Sequence, residues 1–194
     1  MKVAVLDLGM GNLHSVAKAL AAGGAEVTMI SQPAEVAQYD GLCVPGQGVF
    51  SRCTERLTSS GANDAVRDWI AADRPYLGIC LGMQVLFESS DETGPPPQRG
   101  LGVIRGGVTR LPSTVTVPHI GWNTVDGPNG HSEHYYFDHS FACHPTDESI
   151  VHGWCEHGTR FAAWIRQGSV TAVQFHPEKS GSAGLELLKS WVAA

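Results

Sequence analysis

Cys80 lies in Gly78-Ile79-Cys80-Leu81-Gly82, with one glycine two residues before it and another two residues after. This G-x-C-x-G pattern is the thiol form of the strand-to-helix turn that presents a nucleophile. Such a turn is sharp and strained, and glycines keep the space beside the nucleophile clear. The thiol then meets the free N–H groups at the start of the next helix, which favour the thiolate. A free thiol has a pKa of about 8.5, so this help bears on reactivity at neutral pH. A buried packing cysteine between two turn glycines fits the pentapeptide as well. A second group is needed to separate the two.

A cysteine nucleophile needs a base, and the base needs an acceptor that orients it. The best match is Gln174-Phe175-His176-Pro177-Glu178-Lys179-Ser180, at the end of an apolar strand. His176 and Glu178 are two apart and project to one side of an extended segment. Pro177 between them cannot continue a central strand. A Cys80-His176-Glu178 triad follows from the general logic of hydrolases. Pro45-Gly46-Gln47-Gly48 ends another buried strand and offers backbone N–H groups to an oxyanion, or simply makes a turn.

Other polar residues read more blandly. His131 and His134 sit at a polar hairpin tip. Cys143-His144 and Cys155-x-His157 lack the paired spacing of a structural zinc site, so no metal is expected. His139 and Ser140 are either ligand contacts or a satisfied polar pair at a strand end. Asp7 to Asn12 resembles a dinucleotide turn, but His14 stands where a third glycine is needed. Asn12 near the start of the helix is the simpler reading. Cys43 and Cys53 read as packing residues.

These groups need a scaffold that brings several strand ends to one edge. Strands at 3–6, 26–30, 40–44 and 76–79 alternate with helices at 13–20, 49–57 and 65–70, which indicates a largely parallel sheet with its site at the carboxyl edge. Met83, Gln84, Leu86 and Glu88 extend a helix from Cys80, and 89–100, with Pro95-Pro96-Pro97, reads as an irregular loop. From 102 onward short strand-like runs dominate, at 102–110, 114–117, 120–125, 135–142, 150–155, 161–166 and 170–175. They read as antiparallel hairpins added to the same sheet, and an amphipathic helix over 182–192 closes the chain.

The whole of 1–194 reads as one domain. With 42% hydrophobic and 16% charged residues the chain is globular. Its net charge of −6, without a Lys/Arg run, argues against nucleic acid or an anionic membrane as partner. Five cysteines without paired spacing, and an N-terminus without a signal-peptide pattern, indicate reduced thiols in the cytoplasm.

Taken together, Gly78 to Gln84 and Phe175-His176-Pro177-Glu178 resemble the triad-type class I glutamine amidotransferases. Within them, Asp7 to Asn12, Pro45 to Phe50, Pro118-His119-Ile120-Gly121-Trp122-Asn123 and His176 to Ser180 resemble one branch, the glutaminase subunits of imidazole glycerol phosphate synthase. That resemblance implies a three-layer α/β fold, no cofactor, and hydrolysis of glutamine by Cys80, His176 and Glu178. It implies an oxyanion hole from Leu81 with Gly46 or Gln47, and substrate contacts from Gln84, Glu92 and His139-Ser140-Phe141. Ammonia would pass to a separate (β/α)₈ cyclase subunit of histidine biosynthesis, with Asn12, Trp122 and Lys179 at or near the interface. A paralogous glutaminase serving a different barrel-type partner, for example in sugar amidation, would carry the same triad. Leu8, Gln47 and Phe141 depart from the tyrosine, small apolar residue and tyrosine usual at those positions.

Overall fold

The computed structural model describes residues 1–194, apart from the side chain of Asn129. In chain order the elements are β1 (Lys2–Leu6), α1 (Leu13–Ala22), β2 (Glu26–Ile30), β3 (Gly41–Gly46), α2 (Phe50–Ser59), α3 (Ala62–Ala71), β4 (Tyr76–Cys80), the single turn α4 (Leu81–Gln84), β5 (Phe87–Ser90) and β6 (Gln98–Arg99). Then follow β7 (Ile104–Arg110), β8 (His119–Asp126), β9 (Ser132–His139), β10 (Phe141–Pro145), β11 (Val151–Glu156), β12 (Arg160–Gln167), β13 (Val170–Val173) and α5 (Gly181–Ala193).

The sheet runs β2-β1-β3-β4-β13-β12-β10-β7-β5-β6. From β2 to β13 every pairing is parallel. This part holds the site, because β3, β4 and β13 all end at the same edge. Beyond β13 the ladder is antiparallel apart from β5 on β7. A branch of β11, β8 and β9 leaves it through β12.

Alternation along the central strands makes three layers. Ala4, Leu6, Leu42, Val44 and Tyr76 pack with Phe50, Leu57, Val66 and Trp69 of α2 and α3. Val3, Val5, Cys43, Leu77 and Ile79 pack on the other side with Leu13, Val16 and Leu20 of α1 and Leu187, Leu188 and Trp191 of α5. The apolar side chains of β1, β3 and β4 thus face helices on both sides of the sheet. Leu8 is also buried, in the α2–α3 cluster, and so stands away from any surface contact.

Four local expectations need correction. The helix after Cys80 is one turn, and Glu88 lies in β5 rather than on a helix. Val85 and Leu86 accept from the N–H groups of Leu101, Val103 and Ile104, so tertiary pairing overrides helix propensity there. The 89–100 segment is consequently not wholly loop: it contains Ser89 and Ser90 of β5 and the short β6. Residues 114–117 form no strand; Pro112 and Pro118 bracket them and donate nothing to a ladder. The run 135–142 is two strands, β9 on β8 and β10 on β7, parted at Ser140. That break turns His139-Ser140-Phe141 into a corner facing Cys80.

Candidate active site

Cys80 has φ +54° and ψ −106°, a region that costs a non-glycine residue about 1–3 kcal/mol. It is held there by its neighbours. A side-chain carbon added at Gly78 would meet the Gly82 carbonyl oxygen at 2.5 Å, and one added at Gly82 would overlap the Val44 carbonyl oxygen. Tyr76, fully buried, donates its hydroxyl to the Gly82 carbonyl at 2.8 Å. The G-x-C-x-G spacing is thus the one that lets the chain turn from β4 into α4 tight against β3.

His176 and Glu178 come from the segment after β13. The buried His176 Nδ1 lies 2.8 Å from Glu178 Oε1, with both side chains almost wholly enclosed. Ser180 fastens the segment: its hydroxyl donates to the His176 carbonyl at 2.6 Å and accepts the Tyr136 N–H at 3.0 Å. The His176 N–H in turn donates to the Tyr136 carbonyl at 2.8 Å. The other ring nitrogen, Nε2, makes no hydrogen bond of normal geometry, and Cys80 is the side chain near enough to act on it. Unliganded sites commonly hold such contacts long. Burial alone pushes the imidazole down, but the Cys80 and Glu178 side chains outweigh it and raise its pKa to about 10. An imidazolium held beside the Cys80 sulfur is the state this favours.

The thiol opens into a cavity of about 420 Å³, lined also by Gln47, Leu81, Gln84, Glu92, Ser140 and Phe141, of the size usual for small-molecule sites. His139 lines it too. Gly46, Gln47 and Asn12 border the smaller hollow beside His176 and Glu178. A roomier cavity of about 510 Å³ lies by α5, among Tyr135, Trp164 and Leu187; it holds no cysteine and lies apart from the His176–Glu178 pair, whereas the strained Cys80 lines the smaller one.

Individual residues depart from simple expectation. Gln84 spends its Nε2 on the Phe141 carbonyl at 3.1 Å and Gln174 Oε1 at 3.0 Å. Glu92 accepts the Phe50 N–H and so caps α2, whose own N-cap side chain, Val49, cannot. Burial raises the Glu92 carboxyl, opposed by that bond and by Arg110. Gln47 Nε2 donates to Asp138 Oδ2 at 3.3 Å, tying the Pro-Gly-Gln-Gly turn to β9. His139 has both ring nitrogens engaged, Nδ1 with the Phe141 carbonyl at 2.8 Å and Nε2 with His119 Nδ1 at 2.9 Å. Its ring holds the corner rather than pointing a free group at a ligand.

Asn12 is the N-cap of α1, its Oδ1 accepting the Ser15 N–H at 3.2 Å. Trp122 is 57% exposed and meets Tyr136 edge-on at 6.3 Å, while Lys179 Nζ lies 5.5 Å from the same ring. Cys43, Cys53, Cys143 and Cys155 are buried, and burial pushes all four thiols up. Sequence reasoning passed over Asp138, Arg110 and Gln174. The last had a signal, since Gln174 and His176 are also two apart in an extended segment.

A strained cysteine at a strand end with a carboxylate-paired histidine beside one cavity is the arrangement that cysteine-based acyl transfer needs. Residues 4–193 match the family described as glutamine amidotransferase class-I, and the chain belongs to that family, in its branch of imidazole glycerol phosphate synthase HisH subunits. It is 42% identical to subunit HisH of Leifsonia xyli subsp. xyli, covering 99% of this chain and 98% of that one. Subunit HisH of Symbiobacterium thermophilum is 41% identical, with 98% and 92% covered. A crystal structure of a glutamine amidotransferase superposes with a TM-score of 0.79 at 24% identity over 99% of both chains, a likeness of fold.

Proposed function

We propose that this chain, as one domain over 1–194, is the glutaminase subunit of imidazole glycerol phosphate synthase, in the cytoplasm. It hydrolyses glutamine to glutamate and passes the ammonia to a separate (β/α)₈ cyclase subunit. The observation that carries the chemistry is the His176–Glu178 pair, buried at 2.8 Å beside the cavity that Cys80 opens into. The similarity to HisH subunits over the full length supports the pathway and the partner.

In this reading the Cys80 thiolate attacks the side-chain amide carbon of glutamine. The N–H of Leu81 and one from Gly46 or Gln47 hold the oxyanion, each donor being worth about a hundredfold to a thousandfold in rate. Imidazolium His176 gives its proton to the departing nitrogen, leaving a glutamyl thioester and ammonia. His176 then takes a proton from water, the hydroxide attacks the thioester, and the thiolate leaves with glutamate released. Glu178 orients the ring throughout. Gln84, Glu92 and the 139–141 corner hold the substrate.

Ammonia released to water would be protonated and lost as a nucleophile, which favours a partner docked nearby. Trp122 and Ile120 are exposed apolar side chains on β8, and Trp122 and Lys179 flank Tyr136 beside the His176 segment. A barrel seated there would lie next to the triad, with Asn12 close to its edge. No helix among the described residues is long and apolar enough to cross a membrane. The test is glutamate release with and without the cyclase barrel and its aminoimidazole-carboxamide nucleotide. Stimulation by that pair is expected. A rate unchanged by that pair would contradict the assignment.

A further inference from the structure

Gln174 is wholly buried and touches the Cys80 sulfur, a contact that the triad does not include. Its Nε2 donates to Cys80 Sγ at 3.5 Å. Its Oε1 accepts from Gln84 Nε2 at 3.0 Å and from the Cys143 thiol at 3.8 Å. These partners fix which way the amide points. Turned over, it would set one N–H group against another at Gln84 and an oxygen against the Cys80 thiolate. Burial keeps Cys143 protonated and therefore a donor. The Gln84 amide is fixed in its turn by the Phe141 carbonyl at 3.1 Å.

We propose that Gln174 is a positioning residue for the nucleophile, holding one N–H on Cys80 Sγ so that the thiolate is both favoured and aimed. The idea rests on Cys80 being the nucleophile, and adds a second neighbour to the thiolate besides His176. A hydrogen bond is stronger when its acceptor carries charge, so this one gains as the thiol ionises and as the thioester later expels its sulfur. It gains nothing from glutamine in the ground state.

The test is the pH dependence of Cys80 alkylation by iodoacetamide, read at that peptide by mass spectrometry. It needs no glutamine turnover, so it fails or succeeds separately from the glutaminase assignment. Other titratable groups acting on the sulfur are His176 with Glu178 behind it, Cys53 from α2 and Cys143 from β10. Glu92, Arg110 and Asp138 line the same cavity. All of these stay in place in Gln174→Met, which keeps the length and removes the donor. The midpoint is expected to rise by about one pH unit or more, the size of a hydrogen bond to a charged group. Gln174→Glu is expected to raise it further, and glutamine KM to change less than kcat in both.

Should both variants fold poorly, the unsubstituted protein still answers. The Gln174 side-chain N–H resonances are expected to move with the same midpoint as Cys80 alkylation. An alkylation midpoint unmoved in a folded Gln174→Met, or Gln174 resonances that ignore the Cys80 titration, would overturn the proposal.

Discussion

At the scale of single residues, the site depends on where charge is held. His176 carries its proton to about pH 10 because Cys80 and Glu178 outweigh its burial. Glu178→Gln keeps the shape and removes the carboxylate, so the ring should lose its proton at lower pH. Glutamate release is then expected to fall on the order of a hundredfold or more with little change in KM, and ring NMR to show the lowered pKa. Activity within about threefold of wild type would contradict the role. The placement of Cys80, His176 and Glu178 was readable, since G-x-C-x-G and His-x-Glu each encode their geometry in local spacing. Gln174 was less so. Its partner at Cys80 comes from another strand, and only the parallel register of β13 on β4 brings the two together.

Among elements, the corner between β9 and β10 is where structure departs most from the sequence pattern. One apolar run over 135–142 gives no sign that its two halves pair with different strands. What turns the chain is a polar relay the run conceals. Nδ1–H of His139 donates to the Phe141 carbonyl, so its Nε2 must accept from His119 Nδ1–H. His119 Nε2 then accepts from Asn123 Nδ2 at 3.1 Å. Every position is satisfied only with both rings neutral. Burial holds His119 near pKa 4 and His139 near pKa 3, against about 6.5 in an unfolded chain. The folded state therefore binds fewer protons than the unfolded state between these values. This contribution to stability is complete above pH 6.5 and is lost as pH falls through 4 towards 3. Urea unfolding followed from pH 7.5 to pH 5 is expected to show falling stability. Ring ¹⁵N shifts of His119 and His139 should stay those of neutral imidazole over that range, and imidazolium shifts at pH 5 would contradict the relay. The one-turn α4 teaches the same lesson. Met83 to Glu88 carries good helix formers, yet pairing with Leu101 to Ile104 claims Val85 and Leu86 first.

For the whole molecule, the first half of the sequence announces its architecture and the second half does not. Strands β1, β3 and β4 are buried on both faces, so their alternating residues and intervening helices specify the parallel core directly. The later strands form hairpins that turn residues mark, but the ladders of β10 on β7 and β12 and of β11 on β8 join segments that no local pattern names. The consequence is a division of labour. The parallel core supplies Cys80 and the Gly46–Gln47 turn, while the antiparallel half supplies the 139–141 corner, and β9 anchors His176. The central claim is that Cys80 at this junction is the glutamine-cleaving nucleophile. It is tested most directly by comparing wild type and Cys80→Ala in the presence of the cyclase barrel and its nucleotide. Wild type is expected to release glutamate and, when quenched in acid during turnover, to carry a glutamyl thioester on the Cys80 peptide, while Cys80→Ala does neither. Glutamate release that survives in Cys80→Ala would contradict the account.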